Sequence, residues 1–208
     1  MLPFDTLWLF ILSSLALALV PGPDNIFVLT QSMTKGARAG IAVTLGLMTG
    51  LIVHTTAVAL GVAAIFQTSQ VAFDILKYLG AAYLLYLAYL SFKDSSSLDL
   101  HTQRTPLSLT QLYRRGIFMN ITNPKVTLFF LAFLPQFTDA SAGNVTVQIF
   151  MLGGLFILSA FVVFGLVSLL ASKIGAWFAH SPKANVWLNR AAGGIFVALA
   201  AKLALVER

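Results

Sequence analysis

The sequence contains no cysteine, so disulfides and thiolate metal sites are excluded outright. Charge is almost as scarce. Only 10% of the 208 residues are Asp, Glu, Lys or Arg, against about 25% in a soluble domain with a hydrated surface. Most of the surface must therefore face something other than water. The three histidines, His54, His101 and His180, stand far apart with no ligand spacing, which disfavours a metal site. No phosphate-binding glycine loop leads into Lys-Ser or Lys-Thr, so nothing points to ATP hydrolysis, and no cofactor is expected. The net charge of +6 comes from basic residues scattered between apolar segments, which argues against nucleic acid.

What is abundant is apolar chain: 58% of residues are hydrophobic and the mean hydropathy is +0.87. Apolar stretches lie at roughly 4–20, 40–66, 71–92, 116–137, 146–171 and 187–206, near the roughly 20 residues a helix needs to cross a bilayer. Unbroken runs such as Val71 to Phe92 and Ile149 to Leu170 rule out the shorter alternating strands of a barrel. The expected fold is an all-α polytopic membrane protein with about six transmembrane helices, a single domain over 1–208. Phe4 to Val20 lacks a basic lead and reads as a retained helix, with a cleaved signal as the other reading.

The loops alternate in charge. Lys35 and Arg38 mark the first, Lys93, Arg104, Arg114 and Arg115 the third, and Lys173, Lys183 and Arg190 the fifth. The second loop, Gln67 to Gln70, carries none, and the fourth only Asp139. The positive-inside rule then puts loops one, three and five in the cytoplasm and both termini outside. Lys202 and Arg208 run against this, and can snorkel to the far interface. The long polar loop at 94–112, with Ser95, Ser96, Ser97 and Pro106, divides the chain into halves at about 1–93 and 113–208. Three helices per half make any duplication an inverted repeat, as in many secondary transporters.

Each half holds a proline-centred interruption: Pro21-Gly22-Pro23-Asp24-Asn25 and Asn123-Pro124-Lys125. Proline lacks an amide hydrogen and disfavours a helical residue before it, so a helix arriving at Val20 must break. Asp24 and Asn25 are expected to cap a new helix over Ile26 to Met33, and Asn123 one over Val126 to Phe133, with Pro124 at its first position. A helix start within the membrane offers free amides and partial positive charge to a carboxylate. Asp24 can hold an ammonium, and Lys125 can supply a second partner for the carboxylate. Such a pair suits a zwitterion, the shape of an amino acid. The plainer reading makes Asp24 an interfacial cap, since seventeen residues before it already rise roughly 26 Å. Lys125 lies deep in an apolar segment, where an ionisable side chain is a functional candidate unless it snorkels.

Helix two carries Ala42, Gly46, Gly50 and His54 at spacings of four, on one face. The glycines read as packing sites, as do Gly153-Gly154 and Gly193-Gly194, and such faces make a homodimer one arrangement. His54 is a buried hydrogen-bonded histidine or, with Asp24, a candidate proton relay. Any transport must draw on a gradient.

Four segments then resemble one family. The run PGPDNIFVLTQSMTKGARAGIAVTLGLMTG (Pro21 to Gly50) looks like the signature of the LysE/RhtB-type amino-acid exporters. LKYLGAAYLLYLAYLSFK (Leu76 to Lys93), FMNITNPKVTLFFLAFLPQF (Phe118 to Phe137) and LNRAAGGIFVALAAKLAL (Leu188 to Leu205) resemble its later segments in order. The resemblance implies proton-coupled export of amino acids or close analogues across the bacterial inner membrane. The family's motifs map onto Pro21, Gly22, Pro23, Asp24 and Asn25, and onto Asn123, Pro124 and Lys125. The substrate does not carry over. Few acids besides Asp24 and Asp74 lie near the membrane, so a neutral amino acid is the expected class. The competing readings are a non-transporting membrane scaffold or accessory subunit, a channel, and an exporter of another small solute or cation. An enzyme is not expected, because no acid-base or nucleophilic set is assembled.

Overall fold

The computed structural model describes residues 2–20, 22–68, 70–93, 107–180 and 182–205. Eight α-helices account for most of these, and no strand occurs among the described residues. They are α1 (Phe4–Leu19), α2 (Pro23–Lys35), α3 (Ala37–Thr68), α4 (Gln70–Lys93), α5 (Leu109–Ile121), α6 (Pro124–Leu128), α7 (Val145–His180) and α8 (Pro182–Leu205). The chain leaves α6 through a wider π turn, Phe129–Phe133, and two tight 3₁₀ turns, Leu134–Phe137 and Ala140–Ala142.

By length and composition α3 and α7 can each cross a bilayer, through Ala37–Gly61 and Val145–Ala171. Two bent helix pairs pass the same test only when each pair is taken together, as a broken span or a re-entrant loop. α1 and α2 meet at 61°, and α5 and the segment Pro124–Phe137 meet at 50°. The chain is thus an all-helical protein with several apolar helices. α3 and α7 lie antiparallel, because Gly153 of α7 abuts Thr55 while Ser168 abuts Gly40 at the opposite end. α4 packs on α8, where Phe92 fills the space over Gly193.

Three boundaries differ from the sequence expectation. The helix expected over Ile26 to Met33 is longer, running from Pro23 to Lys35 as α2, so the first loop shrinks to one residue, Gly36 at φ 84°, which turns the chain into α3. That left-handed conformation suits glycine, which has no Cβ to clash. The loop expected at 94–112 ends early, since α5 begins at Leu109. The Ser108 hydroxyl accepts from the Gln111 amide (3.3 Å) and Gln111 Oε1 accepts from the Ser108 amide (2.8 Å), a reciprocal cap. Finally, α7 continues to His180 and α8 starts at Pro182, so Lys173, Lys183 and Arg190 stand on helices instead of in a loop. His101, Arg104 and Pro106 lie outside the described residues.

The small-residue stripe of α3 is used within the chain. A Cβ on Gly46 would strike the Tyr113 carbonyl and the backbone of Gly116, and one on Gly116 would strike the Val43 carbonyl. These backbones touch because neither helix carries a side chain there. The stripe is therefore not a free face for a second copy. Gly154 and Gly194, by contrast, have nothing within 4 Å of an added Cβ.

Candidate functional site

Both breaks close upon each other. At the first, α1 ends with the Val20 amide bonded to the Ala16 carbonyl (3.1 Å), and α2 starts behind an extended Gly22. Pro21 lies outside the described residues; Gly22 and Pro23 form the joint. Pro23 takes the first helical position, so Asp24 and Asn25 fall inside the first turn and are not N-caps as expected. No side chain caps α2. Asn25 instead reaches back, its Nδ2 donating to the Ala18 carbonyl at 2.7 Å. At the second break the expectation holds: Asn123 Oδ1 accepts from the Lys125 amide at 3.0 Å with Pro124 first in the helix.

Carbonyls left without a helical donor at the two breaks find partners elsewhere in the cluster. The Val20 carbonyl accepts from Lys125 Nζ at 3.1 Å, which ties the second break to the first. A Cβ on Gly22 would lie 3.0 Å from that ammonium, so glycine leaves it room. Pro124 cannot donate to the carbonyl four residues back, which belongs to Asn120. That oxygen accepts from the Asn123 amide (3.1 Å) and from His54 Nε2 (3.1 Å), which must carry the proton because a carbonyl only accepts. The Asn120 side chain donates through Nδ2 to Asp24 Oδ2 at 3.2 Å.

Asp24 is 4% exposed, Asn120 2%, Asn123 5% and His54 8%. Protein atoms therefore enclose the Asp24 carboxylate. His54 lies sixteen residues beyond Arg38, a rise of about 24 Å, so the cluster stands midway along α3. Lys125 is near enough to attract Asp24, yet no direct ion pair joins them. Asn123 Nδ2 also faces the carboxylate without hydrogen-bond geometry. Three enclosed polar atoms are left without a partner: Asp24 Oδ1, Asn120 Oδ1 and Asn123 Nδ2. On the side led by α6 the cluster meets a phenylalanine wall. Phe130 lies 5.7 Å from the His54 ring, and Phe129, Phe133, Phe137, Phe156 and Phe10 follow at centroid distances of 4.6–6.2 Å.

The family described as LysE type translocator matches residues 15–207, both breaks included. The chain belongs to that family. A homoserine/homoserine lactone efflux protein of Salmonella typhimurium is 37% identical, the alignment covering 97% of each chain. A leucine efflux protein of Salmonella choleraesuis is 29% identical over 96% of this chain and 95% of its own. An uncharacterized membrane protein of Vibrio cholerae is 30% identical over 96% and 97%. No solved structure matches.

In this LysE-type translocator the candidates Asp24, Asn25, Asn123, Lys125 and His54 gather in one cluster, with Gly22, Pro23 and Pro124 at its joints. Asn120 was missed by sequence reasoning. One signal was available: it stands four residues before Pro124, where proline frees a carbonyl and a polar side chain is well placed to organise the gap. Among the described residues, no group of three His, Asp or Glu side chains is arranged to hold a metal ion.

Proposed function

We propose that the chain exports small neutral amino acids or close analogues across the bacterial inner membrane, with the Asp24 cluster as the substrate site. One observation carries this reading: the Asp24 carboxylate and three unpartnered polar atoms, its own Oδ1 among them, are enclosed beside the half-buried Lys125 where two broken helices meet. Leaving a buried polar group unpaired costs about 1–3 kcal/mol, and a ligand that pairs with all three recovers that cost. A zwitterion fits term by term. Its ammonium bonds Asp24 Oδ1 and Asn120 Oδ1, and its carboxylate bonds Asn123 Nδ2 and the Lys125 ammonium. The starting ends of α2 and α6 favour the anionic end. With one acid in the cluster, a neutral amino acid is preferred to a dibasic one. The efflux relatives, one named for homoserine and its lactone and one for leucine, support the same class.

The proposal extends to topology and drive. Six spans form two inverted halves, 1–93 and 113–208, an inversion that the antiparallel packing of α3 on α7 supports; the basic loops then place both termini in the periplasm. Proton coupling runs through Asp24, with His54 acting on it through Asn120. A homodimer, if formed, uses surface other than the α3 stripe.

The test is efflux from cells preloaded with dipeptides, scoring every external amino acid. Wild-type protein speeds the appearance of a neutral amino acid, and collapsing the proton gradient removes the gain. Asp24→Asn removes it too, with the variant still abundant in the membrane. Normal export by Asp24→Asn sinks the site assignment.

A further inference from the structure

Most enclosed helical hydroxyls in this chain bond the carbonyl four residues back. Ser13, Ser14, Thr55 and Ser159 do so at 2.7–2.8 Å. Thr44 on α3 and Ser168 on α7, each only 1% exposed, do not; both hydroxyls are without a partner. They lie in one seam. Ser168 Oγ sits 2.7 Å from where a Gly40 Cβ would be, with Ser32 of α2 against the same spot, and Thr44 is one turn further along the α3 face of Gly40. From α2, which packs on both α3 and α7, comes Gln31, 3% exposed, with Oε1 unpaired. One turn beyond it, Lys35 Nζ is also enclosed and unpaired.

Helical rise separates this group from the Asp24 cluster. Gln31 is seven residues beyond Asp24 along α2, about 10 Å, and Thr44 is ten residues before His54 along α3, about 15 Å. Both displacements run toward the Lys35–Arg38 end. The phenylalanine wall instead abuts His54 itself, through Phe130 and Phe156 behind it. The polar orphans therefore lie on the Lys35–Arg38 side of the Asp24 cluster.

We propose that the seam of α2, α3 and α7 holds a second station for the transported amino acid, passed before Asp24. Gln31 Oε1 accepts from its ammonium, and the Thr44 and Ser168 hydroxyls donate to its carboxylate, with Lys35 at the mouth. The station rests on the amino-acid export reading and adds a binding step on the Lys35 side.

The experiment measures initial efflux of homoserine and of leucine against internal concentration, together with the melting temperature of each purified full-length variant. In Thr44→Val/Ser168→Ala the apparent KM at the inner face rises by about five- to thirty-fold, as loss of two ordinary hydrogen bonds requires. The maximal rate stays within about twofold, and melting is unchanged or higher because two buried unpaired groups are gone. Gln31→Leu acts in the same direction, and Thr44→Ser, which keeps the hydroxyl, stays near wild type. If the double variant fails to reach the membrane, Ser168→Ala alone, with Gln31→Leu, carries the same KM test. A higher melting temperature with an unchanged KM overturns the station while leaving the export reading intact. A wild type that moves neither amino acid, or an Asp24→Asn variant that moves them normally, removes the site reading and the station with it.

Discussion

Replacing Gly50 by alanine puts a methyl group where there is no room. The added Cβ would lie 2.6 Å from Asn120 Oδ1, 2.7 Å from its Cβ and 2.9 Å from its Cγ. Non-bonded carbons settle about 3.5–4.0 Å apart, so Asn120 must withdraw by about 1 Å. Its bond to Asp24 is already 3.2 Å long, at the far edge of the usual 2.7–3.2 Å range, and a retreat of that size breaks it. A hydrogen bond to a carboxylate contributes about 1.5–3 kcal/mol, or roughly 10- to 150-fold in a rate or affinity that depends on it. Crowding the α3–α5 contact destabilises the fold by a further 1–3 kcal/mol or so. The assay is dipeptide-loaded efflux divided by the amount of protein in the membrane, beside the melting temperature in detergent. Gly154→Ala is the control, since its Cβ meets nothing within 4 Å, and it behaves as wild type. Wild-type efflux per molecule from Gly50→Ala would show that the Asn120–Asp24 contact has no part in transport.

Two further outcomes concern the cross-links between the breaks. Lys125→Met keeps the apolar stem but loses the bond to the Val20 carbonyl, so KM rises at least about tenfold with membrane abundance preserved; a fall in abundance alone makes the residue structural. His54→Gln can still donate to the Asn120 carbonyl but lacks the imidazole that could relay a proton. Efflux at fixed pH stays within about threefold of wild type while the pH profile flattens. An unchanged profile reduces His54 to an anchor for Asn120.

What was legible in the sequence follows the range of the forces involved. Pro21, Pro23 and Pro124 act on their own neighbours, so both breaks could be placed without a structure, and so could the Asn123 cap. The helix after the first break was expected over Ile26 to Met33, but its ends were harder to see. PDNIFVLTQSMTK mixes polar and apolar residues, and only the burial of Val28, Leu29 and Gln31 by two neighbouring helices shows that α2 runs the whole way from Pro23 to Lys35. The π turn was hidden for the opposite reason, since FFLAF is an ordinary apolar helix by composition. Asn120 had only the faint signal of Pro124, because the partner that gives it meaning is 96 residues away. The same distance concealed the use of the α3 glycines, which could equally have faced another chain.

Those separations also set a timetable. The bonds that join the cluster link residues 66, 96 and 105 positions apart. At a synthesis rate of about 5–20 residues per second, Asp24 leaves the ribosome some 5–20 s before Asn120 and Lys125 exist. Throughout that interval the growing chain carries an acid whose Asn120 and Lys125 neighbours have not been made. The first four helices must therefore wait in the membrane, incomplete, and the arrival of α5 and α6 is the moment at which assembly and the making of the site become one event.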